Sequence, residues 1–254
     1  MVSKDFDLIV KKLPKSLEYA NIYFIGDLHI ESPEFNEKLF FKWVKMVKDD
    51  PFGYVIILGD IFDNALKTSK SNSYEARMRP KEAKKYFVEH FGPIADKILL
   101  ILDGNHEIRS VNATDDSPLY DMACKLDLED IYRESFGFIK LNLGEKSKTR
   151  QVSYAFAVGH GSTRRKAEIF SFVVDNVDIF ATGHTHHSSF MNPARIVIDM
   201  HNEVVREEDF VRIVVPSFLK VGGYGLRGMY EPAGHMFPIV TISGKEKEVS
   251  VTWK

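Results

Sequence analysis

Short runs of consecutive apolar residues recur along the chain, and each leads within a residue or two to a glycine and then to a polar side chain. The runs are Asn21–Ile25, Tyr54–Leu58, Ile98–Leu102, Tyr154–Val158 and Val177–Ala181. Continuous β-branched and aromatic stretches of this length read as strands buried on both faces. Between them the apolar period changes from continuous to helical. Glu34–Lys48 sets Phe35, Leu39 and Trp43 opposite Lys38, Lys42 and Lys45, the pattern of an amphipathic helix. Pro80–Phe91 opens on proline and closes at Gly92-Pro93, which is start-and-stop chemistry for a second helix. Ser162–Val174 predicts a third. Strand, loop, helix, strand is βαβ grammar, so the first half should be a mostly parallel sheet with helices outside it.

The second half changes character. Phe136–Leu143 and Val152–Val158 flank the polar stretch Gly144–Lys148 and read as a hairpin. Arg195–Met200, Phe210–Pro216, Phe237–Ser243 and Glu248–Trp253 predict further short strands with little helix between them. A second sheet packed on the first accounts for them. Lys67–Arg79 and Val221–Gly234 read as long loops. Nothing marks a linker or a repeat, so residues 1–254 are taken as one α/β domain.

Composition adds exclusions. Apolar content of 44% and charged content of 28% are ordinary for a globular protein, and a net charge of −2 provides no global basic field for nucleic acid. One cysteine, Cys124, excludes an internal disulfide and reads as a small buried side chain. The first residues intersperse lysine and aspartate among apolar side chains, unlike a secretory leader. No run is long enough to span a bilayer. The expectation is a cytoplasmic protein with no membrane partner.

The glycines introduce the chemistry. Gly26-Asp27-Leu28-His29, Gly59-Asp60-Ile61-Phe62-Asp63, Gly104-Asn105-His106-Glu107, Gly159-His160-Gly161 and Gly183-His184-Thr185-His186 follow one another in that order. Ligand sites in open α/β sheets form outside the carboxyl ends of the strands, so these distant residues should converge on one rim. Carboxylate oxygen with imidazole nitrogen is a borderline donor set, suited to Mn, Fe, Zn or Ni rather than to an all-oxygen calcium site. The donors suffice for two metals side by side, and an Asp between such metals can bridge them.

In order and spacing, Asp27, His29, Asp60, Asp63, Asn105, His106, Glu107, His160, His184 and His186 resemble the signature of the calcineurin-like metallophosphoesterase superfamily, over residues 22 to about 187. The resemblance implies a two-sheet α/β/β/α sandwich and two divalent metals, with Mn the first choice. It implies that Asp27, His29, Asp60 and His186 hold one metal and that Asp60, Asn105, His160 and His184 hold the other, with Asp60 shared. His106 would face the phosphate as proton donor to the leaving group, and Asp63 would orient it. The implied activity is phosphoester hydrolysis by hydroxide generated between the metals.

The substrate is a finer question. Asn64 follows Asp63 where protein phosphatases of this superfamily usually carry arginine, and Gly26–Ile30 resembles the opening of DNA-repair exonuclease subunits. Basic clusters at Lys67, Lys70, Arg77, Arg79, Lys81, Lys84 and Lys85 and at Arg164–Lys166 could meet a polyanion. A phosphodiester, in a nucleotide or nucleic acid, is therefore favoured over a phosphomonoester of a protein or small molecule. A non-catalytic interaction module is the alternative of another class. Arg109 lies four residues beyond Asn105 and could reach a phosphate oxygen, whereas Glu107 is expected to orient backbone or ligands. His187 is left outside the ligand set, and His90, His201 and His235 have no chemical role. Tyr224 and Arg227 belong to a solvated loop, and Phe40, Phe41, Trp43, Phe170 and Phe172 to the core.

Overall fold

The computed structural model describes residues 4–65, 74–161, 171, 174–223, 226, 234 and 236–254. The helix expected at Ser162–Val174 lies almost wholly outside these residues. So do Lys67, Lys70, Arg164–Lys166, Phe170, Phe172, Tyr224, Arg227, His235 and most of the Val221–Gly234 loop.

In chain order the strands are β1 (Leu8–Lys12), β2 (Tyr19–Ile25), β3 (Gly53–Ile57), β4 (Ile98–Leu102), β5 (Tyr132–Arg133), β6 (Phe136–Ser147) and β7 (Arg150–Gly159). There follow β8 (Ile179–Thr182), β9 (Ser189–Met191), β10 (Ala194–Asp199), β11 (Val204–Asp209), β12 (Val211–Val214), β13 (Pro238–Ser243) and β14 (Val249–Trp253). The helices are α1 (Glu37–Asp49), α2 (Pro80–Phe91), α3 (Asn105–Thr114) and α4 (Pro118–Lys125).

Two six-stranded sheets form a mixed α/β architecture flanked by helices. The first runs β14-β13-β2-β3-β4-β5, with β2 to β5 parallel as the βαβ pattern predicts. The second runs β1-β6-β7-β8-β12-β9 and contains the expected β6–β7 hairpin. Ile22, Ile57 and Leu100 of the first sheet share one buried cluster with Ile139, Tyr154 and Ile213 of the second, so the sheets pack face to face. On the first sheet α1 buries Phe40, Trp43 and Val47, and α2 buries Ala83, Phe87 and Phe91. Each of these phenylalanines, like Val47, contributes about 1.5–3 kcal/mol on leaving water. Asn36 caps α1 by accepting the Leu39 amide at 3.3 Å, which starts the helix slightly later than periodicity suggested.

Four features depart from the sequence-based expectation. The late strands β13 and β14 extend the first sheet beyond β2, while the N-terminal β1 closes an edge of the second. Helices α3 and α4 occupy a region where no helix was predicted. Phe41 points away from the core and is exposed, because α1 turns Phe40 and Trp43 inward. Cys124 is likewise exposed, since α4 buries Leu119, Met122 and Ala123 instead. Among the described residues no helix is long and apolar enough to cross a membrane.

Candidate metal centre

The five glycine-led motifs follow the ends of β2, β3, β4, β7 and β8, and the backbone ties them together there. The Asp27 amide donates to the Gly59 carbonyl and the His29 amide to the Asp60 carbonyl, both at 3.0 Å. The Gly183 amide donates to the His160 carbonyl, also at 3.0 Å. The two sheets join at the centre itself, where the His184 amide donates to Asp27 Oδ2 at 2.8 Å.

Close approach demands glycine at two points. Gly59 holds φ +83°, and a side chain there would begin 2.3 Å from the Gly104 nitrogen. At Gly104 it would begin 2.1 Å from Asp60 Oδ1. Both contacts lie far inside van der Waals distance, so the second and third motifs can meet only through glycine. Asp27, His29, Asp60, His184 and His186 themselves adopt left-handed backbone, with φ of 50°, 48°, 50°, 67° and 63°. This conformation is sparsely populated for residues other than glycine and turns their side chains onto the shared rim.

The side chains form three overlapping groups whose ligand atoms lie within 4.8 Å of one another: Asp27, His29 and His186; Asp60, His160 and His184; and His29, Asp60 and His106. His186 Nε2 lies 3.2 Å from Asp27 Oδ1, and His160 Nε2 lies 3.2 Å from Asp60 Oδ2. Asn105 Oδ1 is 3.1 Å and His184 Nδ1 3.2 Å from that same His160 nitrogen. His29 Nε2 reaches toward both carboxylates, 4.0 Å from Asp27 and 3.8 Å from Asp60. All seven residues expected to hold metal are thus brought together, with Asp60 between the groups. The third group also places His106 Nε2 3.7 Å from Asp60 Oδ2, close enough to share a ligand site.

Asp27 Oδ1 and both ring nitrogens of His29 are buried without a hydrogen-bond partner among the described residues. A buried polar atom left unpaired costs about 1–3 kcal/mol, and Asp27 Oδ1 and His29 Nε2, 4.0 Å apart, fit donors to a bound cation. The imidazole and carboxylate donors suit Mn, Fe, Zn or Ni.

Charges in the cluster compensate one another. Burial opposes ionisation of Asp60, but the neighbouring His160, His106 and His29 rings outweigh it and hold its carboxyl far below the ordinary range. Burial likewise opposes charge on His160, yet Asp60 and then Asp27 push its pKa up to about 10. His186 is raised by Asp27 against its burial, whereas burial and the His106 charge lower His29.

Several further contacts support the motif side chains. His106 Nδ1 lies 2.6 Å from the backbone carbonyl of Asp63 and 3.4 Å from its carboxylate, so the carbonyl is its hydrogen-bond partner. Glu107 is fully buried and accepts the amides of Asp60 at 2.9 Å, Phe62 at 2.9 Å and Gly104 at 2.8 Å, bracing two motif loops with one carboxylate. Glu31 accepts the Asp63 amide at 2.7 Å. Asn64 donates to the His106 carbonyl at 2.8 Å and pairs with the Ser110 hydroxyl. Arg109, on the next turn of α3, sets its guanidinium against His106. His187 is exposed, with Nδ1 turned back to the Thr185 carbonyl at 2.7 Å. His90 lies among Phe40, Phe41 and Tyr86 on the helical layer.

No curated protein matches the chain. Similar solved structures include a metallophosphoesterase from Sphaerobacter thermophilus, at 13% identity over 92% of this chain and 88% of that one, with a TM-score of 0.43. Vps29 from Chaetomium thermophilum is similar at 13% identity over 92% and 93% of the two chains, with a TM-score of 0.41. The Pseudomonas putida nuclease MPE is similar at 14% identity over 91% and 87%, with a TM-score of 0.35. Residues 20–188 match the model of the calcineurin-like phosphoesterases. With that match spanning the motifs that build the centre, the chain belongs to the calcineurin-like phosphoesterase family, whose members use divalent metals.

Proposed function

We propose that this chain is a binuclear-metal phosphoesterase that cleaves phosphodiesters, in nucleotides or nucleic acid, in preference to monoesters. The observation that carries the reading is the convergence of carboxylates and imidazoles around the unpaired buried atoms of Asp27 and His29. Asp27, His29, Asp60 and His186 would hold one cation, and Asp60, Asn105, His160 and His184 the other. Divalent cations bound there supply Lewis-acid charge to phosphoryl oxygens and lower the pKa of a bound water.

The chain's own residues handle the leaving group. Burial disfavours charge on His106, but Asp63 and Asp60 outweigh it and raise its pKa above the ordinary histidine value. Its Nδ1 is occupied by the Asp63 carbonyl, which leaves Nε2 as the atom that delivers a proton to the departing oxygen. Such general acid catalysis typically contributes ~10²–10⁴-fold. Arg109, beside His106, is positioned to meet a phosphoryl oxygen.

The diester preference rests on charge. A monoester carries one more negative charge than a diester, and Asn64 stands where an arginine would help to neutralise it. Its amide is already engaged with His106 and Ser110. The cytoplasm, as a reducing compartment, suits a chain with one exposed thiol.

Turnover of bis-p-nitrophenyl phosphate and p-nitrophenyl phosphate, titrated with Mn, Fe(II), Zn and Ni, tests the reading. The diester should be the faster substrate, and single- and double-stranded nucleic acid should follow in the same assay. A faster monoester would reverse the preference, and no turnover with any metal would leave the non-catalytic alternative standing. His106→Ala should lose turnover while retaining metal; loss of metal as well would make His106 a ligand.

A further inference from the structure

Two exposed surfaces of the molecule have complementary character. The hairpin β10–β11 stands apart from both main sheets, and its register places Ile196 opposite Glu207 and Ile198 opposite Val205. One face is closed by its own ion pairs, Arg195 with Glu208 at 3.2 Å, and Arg206 with Asp199 and Glu208 at 2.8 Å each. The other face is apolar and open to solvent: Ile196 is 78% exposed, Ile198 67% and Val205 68%, with Met200 at the tip 83% exposed. Glu207 and Asp209 lie on this same face, with no cation paired to either among the described residues.

At the far edge of the second sheet, β1 presents the opposite combination. Leu8 is 55% exposed and Val10 51%, and alternation along the strand places Lys12 on the same face. Leu8 pairs with Phe138 and Val10 with Lys140 on β6, so an exposed lysine adjoins the apolar column. Neither Lys12 nor Lys140 has an anionic partner among the described residues. An isolated two-stranded ribbon is marginal in water, and exposed apolar patches of this kind mark interaction surfaces.

We propose that copies of this chain associate head to tail, the apolar and acidic face of the β10–β11 hairpin on one copy seating on the apolar and basic outer face of β1 and β6 on the next. Four strand spacings, about 20 Å, separate β1 from β12, the strand from which the hairpin grows. One copy therefore does not cover its own edge with its own hairpin. Charge argues against the two symmetric arrangements, because hairpin on hairpin would oppose Glu207 and Asp209 to themselves and edge on edge would oppose the lysines. Because opposite charges on exposed faces would hold it, association should depend on concentration and weaken with salt.

Sedimentation velocity tests this. The wild type should exceed 29.1 kDa increasingly with concentration, and Ile196→Asp/Ile198→Asp should remain at that mass. Two charge variants, Glu207→Lys/Asp209→Lys and Lys12→Glu/Lys140→Glu, should each be monomeric alone. Mixed in equal amounts they should associate again, because every hairpin then meets an edge of opposite sign. All four positions are exposed, so folding is not at stake, and circular dichroism verifies it. A wild type that stays monomeric at every concentration would overturn the proposal. So would a lysine-edge variant that still self-associates, indicating hairpin on hairpin, or a hairpin-charge variant that does, indicating edge on edge.

Discussion

The guanidinium of Arg109 lies over the imidazole of His106, with Nη1 3.1 Å from Nδ1 and Nη2 2.9 Å from Nε2. The lone pairs of the two ring nitrogens diverge within the ring plane, so one planar fork cannot donate along both. The contact is a face-to-face stack, which guanidinium makes readily. It leaves the in-plane direction of His106 Nε2 open while holding a full positive charge beside it.

Arg109→Ala should therefore lower kcat/KM for a diester by about 10- to 100-fold, the loss of one hydrogen bond to a charged group. Arg109→Lys should restore only part of it, because a lysine supplies the charge without the stacking plane. Steady-state kinetics with constant metal content provide the measurement. An alanine variant as active as the wild type would remove Arg109 from the site.

Metal binding should release protons. His160 is held at about 10 by Asp60 and Asp27, so near neutral pH it carries a proton that a coordinating metal must displace. Apparent metal affinity should rise with pH up to that value. Calorimetric titration of Mn in buffers of different ionisation enthalpy reports the proton directly, and a heat independent of buffer would contradict the assignment.

Glu107→Gln should weaken the fold and the centre together. Its Oε2 accepts from Asp60 and Gly104 and its Oε1 from Phe62, and in glutamine only one of those oxygens remains an acceptor, the other giving way to an NH2 that cannot accept. Each stranded amide costs about 1–3 kcal/mol, so chelated protein should lose about 2 kcal/mol or more in urea unfolding. A change confined to metal affinity would show that the brace does not support the fold.

Asp103 gives the chelated protein a pH-dependent stability. Burial, reinforced by Glu107, raises its carboxyl to about 8, against the favourable hydrogen bonds from Tyr132 and Ser117. A carboxyl raised on folding stabilises the fold fully below its unfolded pKa of about 3.9, and that contribution fades as pH rises through the folded value. Wild type should thus lose stability relative to Asp103→Asn between about pH 4 and pH 8. Parallel melting curves across that window would refute it.

What the sequence conveys depends on the range of the interaction involved. β4, Ile98–Leu102, is apolar at every position and buried at every position, so composition alone predicts it. α2 carries proline at its first turn and Gly92 at its end, and its predicted limits coincide with those observed. β11 reads Val-Val-Arg-Glu-Glu-Asp and lies exposed on a free hairpin, where no burial imprints a pattern. The antiparallel pairing of β13 with β2 joins Thr241 to Asn21, a separation that leaves no local trace. The same division holds at the metal centre. Its motif side chains are visible as residue types at fixed spacing. The Asp63 carbonyl on His106, the three amides on Glu107 and the Arg109 stack depend on backbone geometry and are not.

The left-handed turns at Asp27, His29, Asp60, His184 and His186 have a consequence for the stability of this protein. Each bend costs roughly 1 kcal/mol that glycine would not incur. A glycine at any of them would relax the backbone while deleting a candidate donor, and at Asp27 it would also strand the His184 amide that joins the two sheets. The rim therefore keeps its side chains at a standing cost to the backbone, and the five positions that carry the candidate donors are the ones where the chain is least relaxed.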